Sequence, residues 1–132
     1  MFCHLIRHGK DDDTVRGGWS NIGLTEYGVE QVHKLGEDLK EMELGVECIY
    51  ASDLQRAKET AEIIAEYLQV PVNYRPEFRE TNNGDLAGVK NVVLVTHGGV
   101  IEAILCKEKY IKYSNKTKNF AIGAGKMISI SI

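Results

Sequence analysis

The chain has 132 residues, 43% of them hydrophobic, so it can bury one hydrophobic core but is too short for two ordinary domains. We therefore expect a single domain over residues 1–132. Lysine and arginine total 16 against 19 acidic residues, and the net charge of -3 argues against a general affinity for nucleic acid or membrane surfaces. No signal peptide or membrane-spanning apolar run is recognisable, which predicts a cytoplasmic protein.

The first half of the chain alternates between strand and helix patterns. Residues 3–6 form a short apolar run that predicts a buried strand. Thr25 is a candidate N-cap, and the apolar spacing after it predicts a helix face made of Val29, Val32, Leu35, Leu39 and Met42. Residues 47–51 predict a second strand, and Ser52 to Gln55 has the Ser-x-x-Gln spacing of a capping box. The helix that follows has an apolar face comprising Leu54, Ala57, Ala61, Ile64 and Leu68.

The second half continues the same alternation. Residues 71–74 predict a strand near a sheet edge, because the proline at its start cannot donate to a neighbouring strand. Residues 92–96, VVLVT, are typical of a strand buried on both faces of a parallel sheet, and two glycines lead from it into a short helix at 100–105. Two strand patterns follow, at 120–123 and 127–132. We expect a three-layer α/β/α sandwich with a mostly parallel central sheet.

The cysteines, Cys3, Cys48 and Cys106, are odd in number and widely spaced, and each lies among apolar residues. This pattern is more typical of core packing in a reducing compartment than of a disulfide or a metal site. We therefore expect no metal site here.

Polar residues follow three of the predicted strands. They are Arg7-His8-Gly9, the segment 52–56, and the segment 96–99, Thr-His-Gly-Gly. Ligands of open α/β sheets bind beyond the carboxyl ends of the strands, so these segments should meet. Helix N-termini and arginine guanidinium groups both favour phosphate. The sequence therefore predicts an anion site at this edge of the sheet.

Each of these residues also has an ordinary interpretation when it is considered alone. A single histidine at a strand end, such as His8 or His97, is more often a surface or hydrogen-bonding residue than a catalytic one. Arg56 could be a solvated residue of a first helical turn, although a cation there opposes the helix dipole. Glu80 could be a loop acid.

Five ordered blocks together resemble the histidine phosphatase superfamily, the phosphoglycerate mutase-like group. They are LIRHGK, GWSNIGLTEYG, YASDLQRAKETAEIIA, FRETNNGDLAG and VLVTHGGVI. Within that group the chain looks most similar to small phosphatases such as those resembling α-ribazole phosphatase. The resemblance implies that His8 is the nucleophile and Glu80 the proton donor and acceptor. It implies phosphate contacts from Arg7, Arg56, His97 and the Gly98 backbone, with Thr14 and Asn21 as further candidates.

The chemistry of phosphoryl transfer suits these residue types. A neutral imidazole can attack phosphorus and form a phosphohistidine, which divides one difficult hydrolysis into two steps. Fixed cations stabilise the charge that spreads over the phosphoryl oxygens, and we expect Arg7, Arg56 and His97 to do so. The same positive charge should lower the pKa of His8. Gly9 and Gly98 should let backbone approach the phosphate. No metal or cofactor is required.

The chain departs from the family pattern at several positions. Asp11 and Thr14 stand where relatives usually carry a hydroxyl and an asparagine, and we expect the acidic residues 11–13 to form an exposed loop. Asn21 stands where relatives place an aspartate. Glu80 and His97 are separated by 17 positions, where relatives usually insert a segment that covers the pocket. Either this lid is short or missing, or residues are absent from the sequence.

These features favour a phosphomonoester hydrolase that acts on a small phosphorylated metabolite, with an α-ribazole phosphate-like substrate as one candidate. The alternatives are a phosphoglycerate mutase, a phosphoprotein or phosphohistidine phosphatase, and a non-catalytic phosphate-binding protein. The expected partner is a small-molecule phosphomonoester, with no nucleic acid and no membrane. The oligomeric state stays open, a homodimer included.

Overall fold

The computed structural model describes residues 2–11, 23–76, 91–107 and 123–131. Within these ranges the elements alternate as the sequence predicts. They are β1 (Phe2–Arg7), α1 (Glu26–Met42), β2 (Ile49–Ala51), α2 (Gln55–Leu68), β3 (Val72–Tyr74), β4 (Val92–Thr96), α3 (Gly98–Lys107) and β5 (Met127–Ser131). The strand expected at 120–123 lies, apart from Gly123, outside the described residues. No helix in the described part of the chain is both long enough and apolar enough to cross a membrane.

The strands form one sheet in the order β3-β2-β4-β1-β5. The neighbours from β3 to β1 run parallel, and β5 runs antiparallel to β1. The expected mostly parallel sheet is therefore confirmed. β3 lies at an edge, as the proline before it predicts, and the carbonyl of Pro71 accepts a hydrogen bond from the amide of Ile49.

Alternate residues of the central strands point to opposite faces of the sheet and build two cores. On one face, residues of β1, β4 and β5 pack with α3; the set is Cys3, Leu5, Val92, Leu94, Val100, Ile101, Ile104, Leu105 and Ile130. On the other face, strands pack with α1 and α2; the set is Ile6, Val32, Leu39, Ile49, Ala51, Ala57, Ala61, Ile64, Val93 and Val95. Helices thus cover both faces, which confirms the three-layer sandwich.

Two of the cysteines fit the packing expected of them. Cys3 is buried in a core and Cys48 is half-buried against the same cluster, and neither forms a disulfide within the described residues. The side chain of Cys106 lies outside the description.

α1 begins where the sequence predicts. The Thr25 hydroxyl accepts a hydrogen bond from the amide of Gly28 at 3.0 Å, which makes Thr25 the N-cap. The buried residues of α1 are Gly28, Val32, Gly36 and Leu39. Met42 was expected on this face but is 53% exposed, because it is the last residue of the helix and the buried face ends at Leu39.

α2 begins differently from the prediction. Its N-cap is Leu54, which makes no side-chain capping bond, so the expected capping box at Ser52 is wrong. The hydroxyl of Ser52 instead accepts a weak bond from the amide of Leu54 and contacts the His97 ring. Ser52 is fully buried and serves the loop after β4 rather than the helix.

Candidate active site

Three strand ends meet at one edge of the sheet. β4 lies between β1 and β2, and all three are parallel, so their carboxyl ends face the same direction. The amide of His8 donates to the Thr96 carbonyl, and the amide of Ser52 donates to the Val95 carbonyl, each at 3.0 Å. These bonds bring the loops after the three strands together, which confirms the predicted convergence.

His8 is buried and has a defined proton arrangement. Its Nδ1 lies 2.8 Å from the carbonyl oxygen of Gly9. Because a carbonyl can only accept, Nδ1 carries the hydrogen, and a neutral ring then holds its lone pair on Nε2. The pKa of His8 is lowered to about 4, mainly by burial. The charges of Arg56 and Arg7 act in the same direction, and the hydrogen bond to Gly9 and the charge of Asp11 oppose the shift. The sequence predicted the direction of this shift, but the main cause is burial rather than positive charge.

His97 packs against His8 with the ring centroids 5.1 Å apart and the planes inclined by 61°. Its Nε2 lies 2.9 Å from the Ser52 hydroxyl, which holds the ring in place. Burial lowers the pKa of His97 to about 3, and His8, Arg56 and Arg7 contribute in the same direction. His97 is therefore neutral at neutral pH in the ligand-free protein. The expectation that it acts as a fixed cation concerns the site with a phosphoryl group bound and stays a prediction, whereas in the ligand-free protein burial keeps the ring neutral.

The two arginines supply the permanent positive charge of the site. Arg7 is the last residue of β1 and is half-buried, whereas Arg56 lies in the first turn of α2 and is 4% exposed. Both lower the pKa values of His8 and His97 through their charges. The structure thus places the predicted cations beside both imidazole rings.

Asp11 also reaches this site. Its Oδ2 lies 3.6 Å from Nε of Arg56. The sequence predicted an exposed acidic loop pointing to solvent, and for Asp11 that prediction is wrong, because a buried cation attracts the carboxylate inward. Residues 12 and 13 lie outside the described ranges.

The loop that carries His8 is fastened by residues that the sequence did not single out. The amide of Gly9 donates to the Thr60 hydroxyl at 3.0 Å, and that hydroxyl donates to the Arg56 carbonyl at 2.7 Å. Thr60 therefore joins the loop to α2. Gly9 was predicted to make room for phosphate, but a Cβ there would lie 2.6 Å from Cγ2 of Val32. Its small size is required by the packing of α1.

The turn before β5 holds the same loop from the opposite side. The amide of Gly125 donates to the carbonyls of both Arg7 and His8 at 3.0 Å, and its φ of 69° favours glycine. Gln31 of α1 accepts from the Lys10 amide and donates to the Ala124 carbonyl. The Ala-Gly-Lys break between two strand patterns was the sequence signal that could have pointed to this turn.

The remaining predicted site residues have different outcomes. Gly98 is the first residue of α3 and follows His97 directly, so the helix begins at the edge where the strand ends meet. Glu80, Thr14 and Asn21 lie outside the described residues, and their roles stay predictions. Across the ranges that are described, no three His, Cys, Asp or Glu side chains group as metal ligands would.

Sequence comparison finds related proteins over much of the chain. Residues 3–91 match the family model of the histidine phosphatase superfamily, branch 1. A 2,3-bisphosphoglycerate-dependent phosphoglycerate mutase of Bartonella henselae is 37% identical over 91 residues, which are 64% of this chain and 44% of that protein. The uncharacterized phosphatase PhoE of Bacillus subtilis is 38% identical over 88 residues, 64% of this chain and 45% of that protein. The matches thus span less than half the length of these relatives.

Comparison with solved structures supports the fold. A candidate α-ribazole-5′-P phosphatase of Escherichia coli K-12 superposes with a TM-score of 0.80 at 21% identity, covering 100% of this chain and 91% of that one. This likeness concerns the α/β architecture. With the family model matched over residues 3–91, the chain belongs to the histidine phosphatase superfamily, branch 1.

Proposed function

We propose that the protein is a phosphomonoester hydrolase that works through a phosphohistidine at His8. The observation that carries the proposal is the state of this ring, which is buried, held by Nδ1 to the Gly9 carbonyl, and neutral at neutral pH. Its Nε2 lone pair is therefore available to attack phosphorus. Simple phosphate binding requires no nucleophile of this kind.

In the proposed first step, Nε2 of His8 attacks phosphorus as the bond to the substrate oxygen breaks. The departing oxygen takes a proton from the Glu80 carboxyl group. In the second step, water attacks the phosphohistidine and gives a proton to Glu80, which restores the acid. Inorganic phosphate leaves, and the Nε2 lone pair of His8 is regained. The reaction as proposed uses no metal.

Arg7 and Arg56 would bind the phosphoryl oxygens and stabilise the charge that spreads over them in the transition state. His97 would contribute a hydrogen bond, since burial keeps its ring neutral before the ligand binds. The N-terminus of α3 at Gly98 would add backbone N–H groups and a positive dipole end. Thr14 and Asn21, which precede α1 in the sequence, would contact the phosphate as well.

The substrate class that we propose is a small phosphorylated metabolite, an α-ribazole phosphate-like ester included. PhoE of Bacillus subtilis, which is named a phosphatase, supports hydrolysis. The relative from Bartonella henselae, which is named a mutase, favours a second candidate, phosphoglycerate mutase. Both activities share the first step, and they differ in whether water or a phosphoglycerate hydroxyl accepts the phosphoryl group.

A hydrolysis assay tests this proposal. We expect turnover of an aryl phosphate in the presence of a chelator, an acid-labile phosphoenzyme, and a loss of at least roughly a thousandfold in His8→Ala, since the nucleophile is removed. His33→Ala, which removes an imidazole from the flank of α1, is the matched control and should keep activity. Full turnover by His8→Ala would refute the proposal. With excess 3-phosphoglycerate as acceptor, mostly transferred product would favour the mutase.

A further inference from the structure

The ion pair between Asp11 and Arg56 lies within the proposed phosphate site. The Arg56 side chain is 5% exposed and that of Asp11 is 27% exposed. A buried guanidinium needs a counter-charge, because removing a cation from water without one costs several kcal/mol. In the ligand-free protein Asp11 supplies a negative charge at this position.

The backbone keeps Asp11 close to the nucleophile. Asp11 pairs with Leu24 in an isolated β-bridge, and the carbonyl of the preceding Lys10 accepts hydrogen bonds from both the amide and the hydroxyl of Thr25. These contacts fasten the segment to the start of α1. The charge of Asp11 raises the pKa of His8, in opposition to that of Arg56. Both charges therefore act on the same imidazole ring.

We propose that Asp11 is an internal counter-ion that competes with the phosphoryl group for Arg56 and thereby sets the affinity of the site for phosphate. The inference rests on the proposed function, because it takes Arg56 as a phosphate ligand. The partly exposed Asp11 side chain can turn toward water when phosphate binds, whereas the buried Arg56 stays in place. The carboxylate thus weakens the binding of phosphate dianions and stabilises the empty site.

Two opposite effects follow from removing this charge. Without Asp11, the empty protein holds a buried guanidinium with less counter-charge and should be less stable. The same protein should bind a phosphate dianion more tightly, because the competing and repelling carboxylate is gone. A ligand that binds the folded state raises its stability, so phosphate should recover the lost stability.

The experiment uses inorganic phosphate as the probe and Asp11→Asn as the variant, since the amide keeps the shape and removes the charge. Calorimetric titration should give a dissociation constant for phosphate that is lower by about fivefold or more, as expected for one charge near a partly buried site. In thermal unfolding, Asp11→Asn should have a lower midpoint than wild type without phosphate. Adding phosphate should raise the midpoint of Asp11→Asn more than that of wild type. Asp11→Ser provides a second variant should the first fail to fold.

The matched control is Asp38→Asn, which changes the net charge equally at an exposed position of α1. An equal gain in phosphate affinity in Asp11→Asn and Asp38→Asn would assign the effect to net charge and overturn the inference. So would unchanged or weaker phosphate binding in Asp11→Asn, or no phosphate binding in any variant.

Turnover separates the inference from the proposed function. If hydrolysis depends on His8 but Asp11→Asn gains no phosphate affinity, the inference fails and the function stands. If Asp11→Asn gains affinity while His8→Ala keeps full turnover, the function fails and the inference stands.

Discussion

The two imidazole rings at the sheet edge are neutral because of where they lie. His8 and His97 are 4% and 0% exposed, and burial is the largest cause that lowers both pKa values. Neutrality gives the two rings different uses. In the proposed reaction His8 keeps a lone pair for attack on phosphorus, whereas His97 offers a hydrogen bond without adding positive charge. The permanent positive charge therefore rests on Arg7 and Arg56.

Arg56→Lys tests how much the guanidinium geometry contributes. A lysine keeps the positive charge but loses the planar fork of donors that matches phosphate oxygens, so we expect a loss of roughly 10- to 100-fold in kcat/KM. Steady-state kinetics on an aryl phosphate measures this, and a melting curve checks the fold. Arg75→Lys makes the same change on an exposed side chain and should have little effect. Wild-type turnover by Arg56→Lys would remove Arg56 from the phosphate site.

At the residue scale the sequence predicted which side chains meet and that the pKa of His8 would be lowered, but not that His97 would be neutral as well. The sequence could place four side chains together because each lies at the end of a predicted strand or the start of a predicted helix. They are Arg7, His8, Arg56 and His97. The sequence could not predict the neutrality of His97 or the inward position of Asp11, since both depend on burial and on a distant partner. Ser52 was misread for the same reason: its spacing suits a capping box, but its hydroxyl contacts His97, 45 positions away.

At the scale of elements, α1 serves the site through its small residues. A Cβ at Gly28 would overlap the backbone of Lys10, and one at Gly9 would press on Val32. The helix thus packs directly against the loop that carries His8, and Gln31 of the same helix bonds the Lys10 amide. The apolar spacing of α1 predicted the helix, but it counted only large side chains and so missed the glycines on which this close approach depends.

Gly28→Ala tests that packing. Alanine raises helix propensity, but the methyl group meets backbone that cannot rotate away, so we expect a net destabilisation of roughly 1–3 kcal/mol. Because Lys10 is two residues from His8, kcat should fall as well. Urea unfolding and steady-state kinetics measure the two effects. In Gly36→Ala, the matched control, the methyl group meets the Tyr67 side chain instead, so stability should fall and kcat per folded molecule should not. An unchanged kcat in Gly28→Ala would show that the packing of α1 against Lys10 does not affect catalysis.

At the scale of the whole molecule, the parallel sheet sets the site. The order β2-β4-β1 brings the segments after three strands to one edge, and the antiparallel β5 adds its preceding turn at the same edge. The sequence predicted this convergence because the carboxyl ends of parallel strands lie together. It did not predict that the turn before β5 would bond the Arg7 and His8 carbonyls, since such contacts depend on which strand lies beside β1.

Burial of the two rings also predicts how the stability of the molecule depends on pH. The pKa values of His8 and His97 are about 4 and about 3 in the folded protein, against 6.5 for an ordinary histidine. At pH values between the folded pKa values and 6.5, the unfolded chain binds more protons than the folded one, so acid favours unfolding. Stability should be full above pH 6.5 and fall by roughly 3 kcal/mol for each ring, about 6 kcal/mol in all, as the pH decreases toward 4. Urea unfolding at several pH values measures this, and His8→Asn/His97→Asn should flatten the dependence. An equally steep fall in that double variant would assign the acid sensitivity to other groups.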